Sequence, residues 1–230
     1  TIYTVSSTNS LCPAVVVTST LSITAYSVPV ISATGGSICA GKTYTIPVSG
    51  ATSYSINNIA ASSPYTVAPT SNTTYSVKGM SSQGCVSSNT NISVIVNANP
   101  SVTVNSGSIC VGQQFVIVPT GTSVTSYTYA GGSASVSPVS NANYVVTAYA
   151  SSGCTATANS SVIVHALPVV SVNSGSICAG NSFVINPTGA LSYTVAGGSL
   201  TVSPSSTTSY SVSGTSSVGC NSSNTVVATV

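Results

Sequence analysis

The heptad Val104-Asn105-Ser106-Gly107-Ser108-Ile109-Cys110 returns letter for letter at 172–178, and a looser copy, Thr34-Gly35-Gly36-Ser37-Ile38-Cys39, precedes both. Each copy is followed by a Gly two residues after its Cys (Gly41, Gly112, Gly180) and an aromatic five residues after it (Tyr44, Phe115, Phe183). A second register follows in each copy: a Pro (Pro69, Pro138, Pro204), then a Tyr (Tyr75, Tyr144, Tyr210), then a second Cys (Cys85, Cys154, Cys220). Two registers recurring in phase define a tandem array with a unit of about 70 residues. A unit this short buries only about 60% of its unfolded surface and needs a staple or a neighbour.

The expected division is 1–28, the C-terminal part of a truncated repeat, followed by repeats at 29–98, 99–166 and 167–230. Tyr3-Thr4-Val5 corresponds to Tyr75-Ser76-Val77, and Cys12 falls near the second-Cys position. Val15, Val17, Leu21 and Ile23 suit a final strand. Two strands alone are unstable in water, so 1–28 needs further chain, the next unit or another copy to pair with.

Alternation sets the secondary structure. Tyr44 and Ile46 alternate with Thr43 and Thr45, a half-buried strand pattern. In the second repeat the expected strands are 102–104, 115–118, 126–129, 134–136, 144–148 and 162–164. The third repeats them at 170–172, 183–185, 192–195, 200–202, 210–213 and 225–230. Asn57-Asn58 supplies a turn, and Gly131-Gly132 and Gly197-Gly198 supply the positive φ of tight hairpins. The inward positions are Phe115, Ile117, Tyr144 and Val146, then Phe183, Ile185, Tyr210 and Val212. No segment carries a helical apolar period. The unit reads as all-β, a small sandwich of six or seven short strands.

Charge removes several function classes. The chain has no Asp or Glu, two Lys, one His and a net charge of +2, against 42% hydrophobic residues. Nucleic-acid binding needs clustered Lys or Arg, and there are none to cluster. The same lack removes a polybasic membrane patch, and no apolar run approaches the roughly 18 residues of a membrane span. General acid–base chemistry has almost no material. His165 reads as a linker or surface residue, and Lys42 and Lys78 do not recur in the other repeats. No enzyme activity, cofactor or metal is expected.

The seven cysteines are the chemistry that remains. Repeat phase pairs Cys39 with Cys85, Cys110 with Cys154 and Cys178 with Cys220, one disulfide per repeat, and leaves Cys12 to a partner upstream. Each such bond closes about 45 residues and contributes roughly 4 kcal/mol in the chain-entropy model. Zinc prefers close Cys pairs or Cys with His, which these long gaps and a single His do not offer. Disulfides imply an oxidising, extracellular compartment. Among twelve Tyr, those recurring in phase read as packing, whereas Tyr65 and Tyr149 do not recur and are the candidates for contact with a ligand.

Ser192-Tyr193, Val202-Ser203-Pro204, Tyr210-Ser211-Val212 and Gly219-Cys220 complete a pattern that runs through nearly the whole chain. It resembles the immunoglobulin-like (PKD-like) tandem repeats of large secreted surface proteins of Bacteroidota. Such repeats often carry Trp where this chain has Ile56, Tyr129 and Val195. The resemblance implies tandem immunoglobulin-like β-sandwich repeats, export to the cell surface, and a role in adhesion, gliding or surface filaments. The leading expectation is a structural segment of a long extracellular filament or adhesin stalk. Three sandwiches in line would span roughly 100 Å, and an uncharged surface lacks the repulsion that keeps identical chains apart. The alternatives are a glycan- or protein-binding adhesive module, and a passive spacer attached to an enzyme.

Overall fold

Alternating residues with apolar side chains on one face can bury that face only by pairing strands and laying one layer on another. The computed structural model describes every residue except Ser63 and, of Val15, the backbone alone. Among the described residues all regular structure is β. The chain divides into two units, Thr1–Ala98 and Asn99–Val230.

The first unit opens with a hairpin of β1 (Ile2–Asn9) and β2 (Cys12–Ser22), in register from Ile2 opposite Ser22. Its described side chains are exposed on both faces, Tyr3 and Val17 among them. A sandwich follows, built from β3 (Ser32–Ala33), β4 (Gly36–Cys39), β5 (Tyr44–Thr45), β6 (Val48–Ser49), β7 (Ser53–Ile56), β8 (Ile59–Ala61), β9 (Thr66–Val67), β10 (Thr73–Met80) and β11 (Thr90–Asn97). One layer is the sheet β4-β11-β10-β7-β8; the other is the pairs β3–β6 and β5–β9. Ile46, Val77 and Ile92 form the buried centre, with Tyr44, Tyr54, Tyr65 and Tyr75 packed against it.

The second unit holds two such sandwiches. The first comprises β12 (Thr103–Val104), β13 (Gly107–Cys110), β14 (Phe115–Val116), β15 (Pro119–Thr120), β16 (Ser126–Tyr129), β17 (Ser135–Val136), β18 (Ala142–Tyr149) and β19 (Thr155–His165). Its main sheet is β13-β19-β18-β16, faced by the pairs β12–β15 and β14–β17. The second comprises β20 (Gly175–Ser176), β21 (Phe183–Val184), β22 (Ser192–Val195), β23 (Thr201–Val202), β24 (Thr208–Thr215) and β25 (Asn221–Thr229). Its main sheet is β20-β25-β24-β22, faced by β21–β23 and by a bridge from Ser171 to Thr188. This arrangement, a four-stranded sheet with a parallel edge strand packed on a shorter antiparallel layer, is an immunoglobulin-like sandwich.

The period of two is visible along β24, where Tyr210, Val212 and Gly214 turn inward and Ser209 and Ser211 outward. Ile117, Val146, Phe183, Ile185 and Val212 are buried, and Phe115, Tyr144 and Tyr210 half-buried.

Three expectations need correction. The heptad is itself a strand: its last four residues form β13, parallel to the end of β19. The Gly131-Gly132 and Gly197-Gly198 turns do not close hairpins. They carry the chain from β16 to β17 and from β22 to β23, from one layer to the other. The pair that does close a hairpin is Asn57-Asn58, both at positive φ between β7 and β8. Finally, 170–172 pairs only through Ser171, too little for a strand.

The heptad letters have local causes. A Cβ at Gly107 would lie 2.9 Å from the Phe115 ring, at Gly175 2.7 Å from the Phe183 ring, and at Gly36 2.6 Å from the Tyr44 ring. Gly and the aromatic after the Cys are therefore one packing unit. The Asn105 side chain donates to the Val116 carbonyl (3.0 Å) and accepts from the Val118 amide (2.7 Å). Asn173 does the same to Val184 and Asn186. These side-chain bonds occupy backbone groups at the ends of β14 and β21, where their ladders break.

Candidate inter-repeat junction

The side-chain chemistry of the second unit converges where one sandwich hands the chain to the next. Cys110 ends β13, opposite His165 at the end of β19. The Val111 amide donates to the His165 carbonyl at 2.9 Å and so anchors the turn that follows. That turn is tight: Gln113 N–H donates to the Cys110 carbonyl (3.0 Å), Gly112 has φ 85°, and the Gln113 side-chain oxygen accepts from the Cys110 amide (3.1 Å).

Cys220 lies in the hairpin turn that opens β25. Ser216 N–H donates to the Cys220 carbonyl (2.8 Å), Gly219 has φ 82°, and the Cys220 amide donates to Ser216 Oγ (3.1 Å). Ser222 Oγ donates to the Pro168 carbonyl, and Asn224 Nδ2 donates to the Val170 carbonyl (2.9 Å). The linker is thereby fastened to the head of the third repeat. Cys110 and Cys220 are joined as a disulfide with Cα atoms 5.6 Å apart, and the bond crosses 110 positions of sequence. Leu167 of the linker, Val111 and Asn221 line the cleft beside it.

This replaces the pairing expected from repeat phase. Cys154 precedes Thr155 at the start of β19, whereas Cys110 sits opposite His165 at its end. At about 3.3 Å per residue, those ends are roughly 33 Å apart. A disulfide requires Cα atoms within about 7 Å. The geometry is the same for Cys178 and Cys220 at opposite ends of β25, and for Cys39 and Cys85 at opposite ends of β11. Cys39 and Cys154 are themselves disulfide-bonded, whereas Cys12, Cys85 and Cys178 are free thiols. The staple is therefore not one per repeat. In the second unit it runs from the tail of one sandwich to the head of the next.

The two tyrosines expected to meet a ligand differ. Tyr65 packs against the first sandwich's core, edge-on to Tyr54 with ring centroids 5.3 Å apart. Tyr149 ends β18 with an exposed side chain, and its carbonyl accepts from the Thr125 amide and hydroxyl at 2.8 and 2.9 Å. Tyr149 is not among the residues that line the cleft at the junction. Lys78 Nζ donates to Asn58 Oδ1 at 2.8 Å. Among the described residues no three His, Cys, Asp or Glu side chains cluster together, and no helix is long and apolar enough to cross a membrane.

No protein-family model matches the chain, and no curated protein matches it. Solved structures similar to it include fibronectin(III)-like modules of Clostridium thermocellum CbhA, at 16% identity over 60% of this chain and 95% of that one, TM-score 0.33. A Ca2+-stabilized adhesin by which an Antarctic bacterium binds ice is 16% identical over 99% of this chain and 80% of that one, TM-score 0.37. A 1.5-MDa bacterial ice-binding adhesin is 16% identical over 88% of this chain and 98% of that one, TM-score 0.33. At TM-scores this low, superposition fixes neither a common family nor a common task.

Proposed function

We propose that this chain is a structural segment of an extracellular adhesin or surface-filament stalk, associating side by side with identical chains. The observation that carries the reading is the Cys110–Cys220 bond. A disulfide between successive sandwiches does nothing for a binding face. It fixes how one module follows another, and it persists in an oxidising exterior. The composition agrees, since the chain has no acids and two lysines. Each sandwich also presents an aliphatic side chain outward from its last strand: Ile95, Ile163 and Val227 are 49%, 47% and 39% exposed. Without charge repulsion, such faces favour association of like chains. Sedimentation equilibrium across a concentration series tests this. Mass rising with concentration is expected, falling back when Ile163 becomes Asn; a monomer at every concentration overturns the self-association.

A second reading, glycan or protein binding, has one observation of its own. Among the described residues only the first sandwich has a strand paired as β8 is, and beside it a hollow is lined by Tyr54, Lys78, Met80 and Val86. Specific binding on a glycan array that is lost in Lys78→Ala would favour that reading.

A further inference from the structure

We infer that Cys178 is the open half of a further inter-repeat disulfide, whose partner is the Gly-Cys cysteine of another repeat of this kind. A free thiol alone would not say so. What says so is that the chain contains the same position in its bonded state. Cys110 and Cys178 close identical heptads. Both sit in the same turn: the amide three residues on donates back to the cysteine carbonyl at 3.0 Å in each, and Gly112 and Gly180 have φ 85° and 87°. One is bonded to the next sandwich; the other is an exposed thiol.

The receiving half repeats just as closely. Before Cys85, Cys154 and Cys220 the chain makes the same turn, with Ser81, Ala150 and Ser216 amides donating to the cysteine carbonyls at 2.9, 2.8 and 2.8 Å. Ser81 Oγ accepts from the Cys85 amide as Ser216 Oγ does from Cys220. Cys154 and Cys220, both disulfide-bonded, are buried, whereas the free Cys85 is half-exposed. Each repeat thus carries a donor cysteine at its tail and an acceptor cysteine at its head. Cys178 is an unused donor and Cys85 an unused acceptor.

The chemistry balances with an outside disulfide. The Cys178 thiol and its partner thiol give up two protons and two electrons as the S–S bond forms. An oxidised dithiol carrier or glutathione disulfide takes them and leaves as two thiols. The reaction proceeds through a mixed disulfide on whichever cysteine thiolate first attacks the outside disulfide, and the other thiolate then displaces the carrier. A following repeat on the same chain would hold the partner at high effective concentration, as the linker does for Cys110 and Cys220. A second copy of the chain would present the same chemistry through Cys85. The inference does not rest on the stalk reading: a covalent ladder and lateral association are separate properties, read out separately.

The test uses the full 230-residue chain and the same chain extended after Val230 by a second copy of 167–230. Both are oxidised with glutathione disulfide, alkylated, and cut with chymotrypsin, since two lysines give trypsin too little to cut. In the extended chain the expected product is a peptide joining Cys178 to the appended copy of Cys220. Alkylation of Cys178 should disappear and move to the appended copy's own first cysteine. Recovery of the Cys110–Cys220 peptide from the same digest shows that the chain is folded. In Cys178→Ser the appended acceptor should become alkylatable. In the unextended chain, a covalent oligomer joined Cys178 to Cys85 assigns the partner to a second copy and supports the same inference. Full alkylation of Cys178 in both chains overturns it. So does its recovery, in the extended chain, on glutathione, on Cys12 or on another Cys178, and so does an appended acceptor that stays blocked in Cys178→Ser.

Discussion

At the scale of single residues, the heptad encodes contacts rather than chemistry. Gly107 is small because the Phe115 ring lies where a Cβ would go. Gly107→Ala must therefore shift a packed ring, and overpacking of this kind costs about 1–3 kcal/mol. Urea denaturation of the full chain should show that loss, and Gly107→Ala with Phe115→Leu should recover part of it. If Gly107→Ala is as stable as the parent, the two letters are not coupled. Asn105 makes two hydrogen bonds, to Val116 of β14 and to Val118 just after it. At about 1 kcal/mol net for each, Asn105→Ala should cost about 2 kcal/mol. Hydrogen exchange at the Val118 amide, which donates to Asn105, should accelerate in that variant; unchanged exchange would mean the bond is not made in solution. The recurrence of these letters was legible in the sequence. Their cause was not, because it lies in contacts between residues eight or more positions apart.

At the scale of elements, alternation was enough to find 144–148 of β18 and 210–213 of β24 and to turn Val146, Ile185 and Val212 inward, but of β19 it found only 162–164 and missed 155–161. Ser126–Tyr129 and Ser192–Val195 were readable to the residue. Gly107–Cys110 was not, since Gly-Ser-Ile-Cys has low strand propensity and pairs only because β19 offers a parallel edge. That missed strand also misled the cysteine pairing. Two cysteines of one repeat look like partners until the strand register puts them at opposite ends of β19. Tyr65 is a related case: its failure to recur suggested a contact role, yet it fills space against Tyr54 in a sandwich with its own extra strand. Moving the disulfide does not remove its thermodynamic effect. When the third repeat unfolds while the second stays folded, the linker and the Cys110–Cys220 bond still close a loop of roughly 50 residues, worth about 4 kcal/mol in the chain-entropy model. Cys110→Ser should lower the stability of both adjoining sandwiches by a few kcal/mol while leaving their far-UV spectrum intact. Calorimetry that shows no shift in either transition would argue that the bond does not form.

At the scale of the whole molecule, the junction decides which part of the chain feels tension. Under pull, a chain of separate modules extends by unfolding each module in turn. Here a force arriving at Cys110 has a covalent route to Cys220 that bypasses everything between, a sequence separation of 110. With handles at Asn99 and Val230, the oxidised protein should not release the contour length of that interval. After reduction it should release up to about 380 Å more, at roughly 3.5 Å per extended residue. Single-molecule force spectroscopy with and without a reductant measures that difference directly. A stalk under load gains from such a route, because everything between Cys110 and Cys220 lies off the load path, which runs through β12, β13, the sulfur bond and β25. A ligand-binding module gains nothing from it. Equal contour lengths in the two conditions would therefore count against the bond and, with it, against the mechanical reading of the chain.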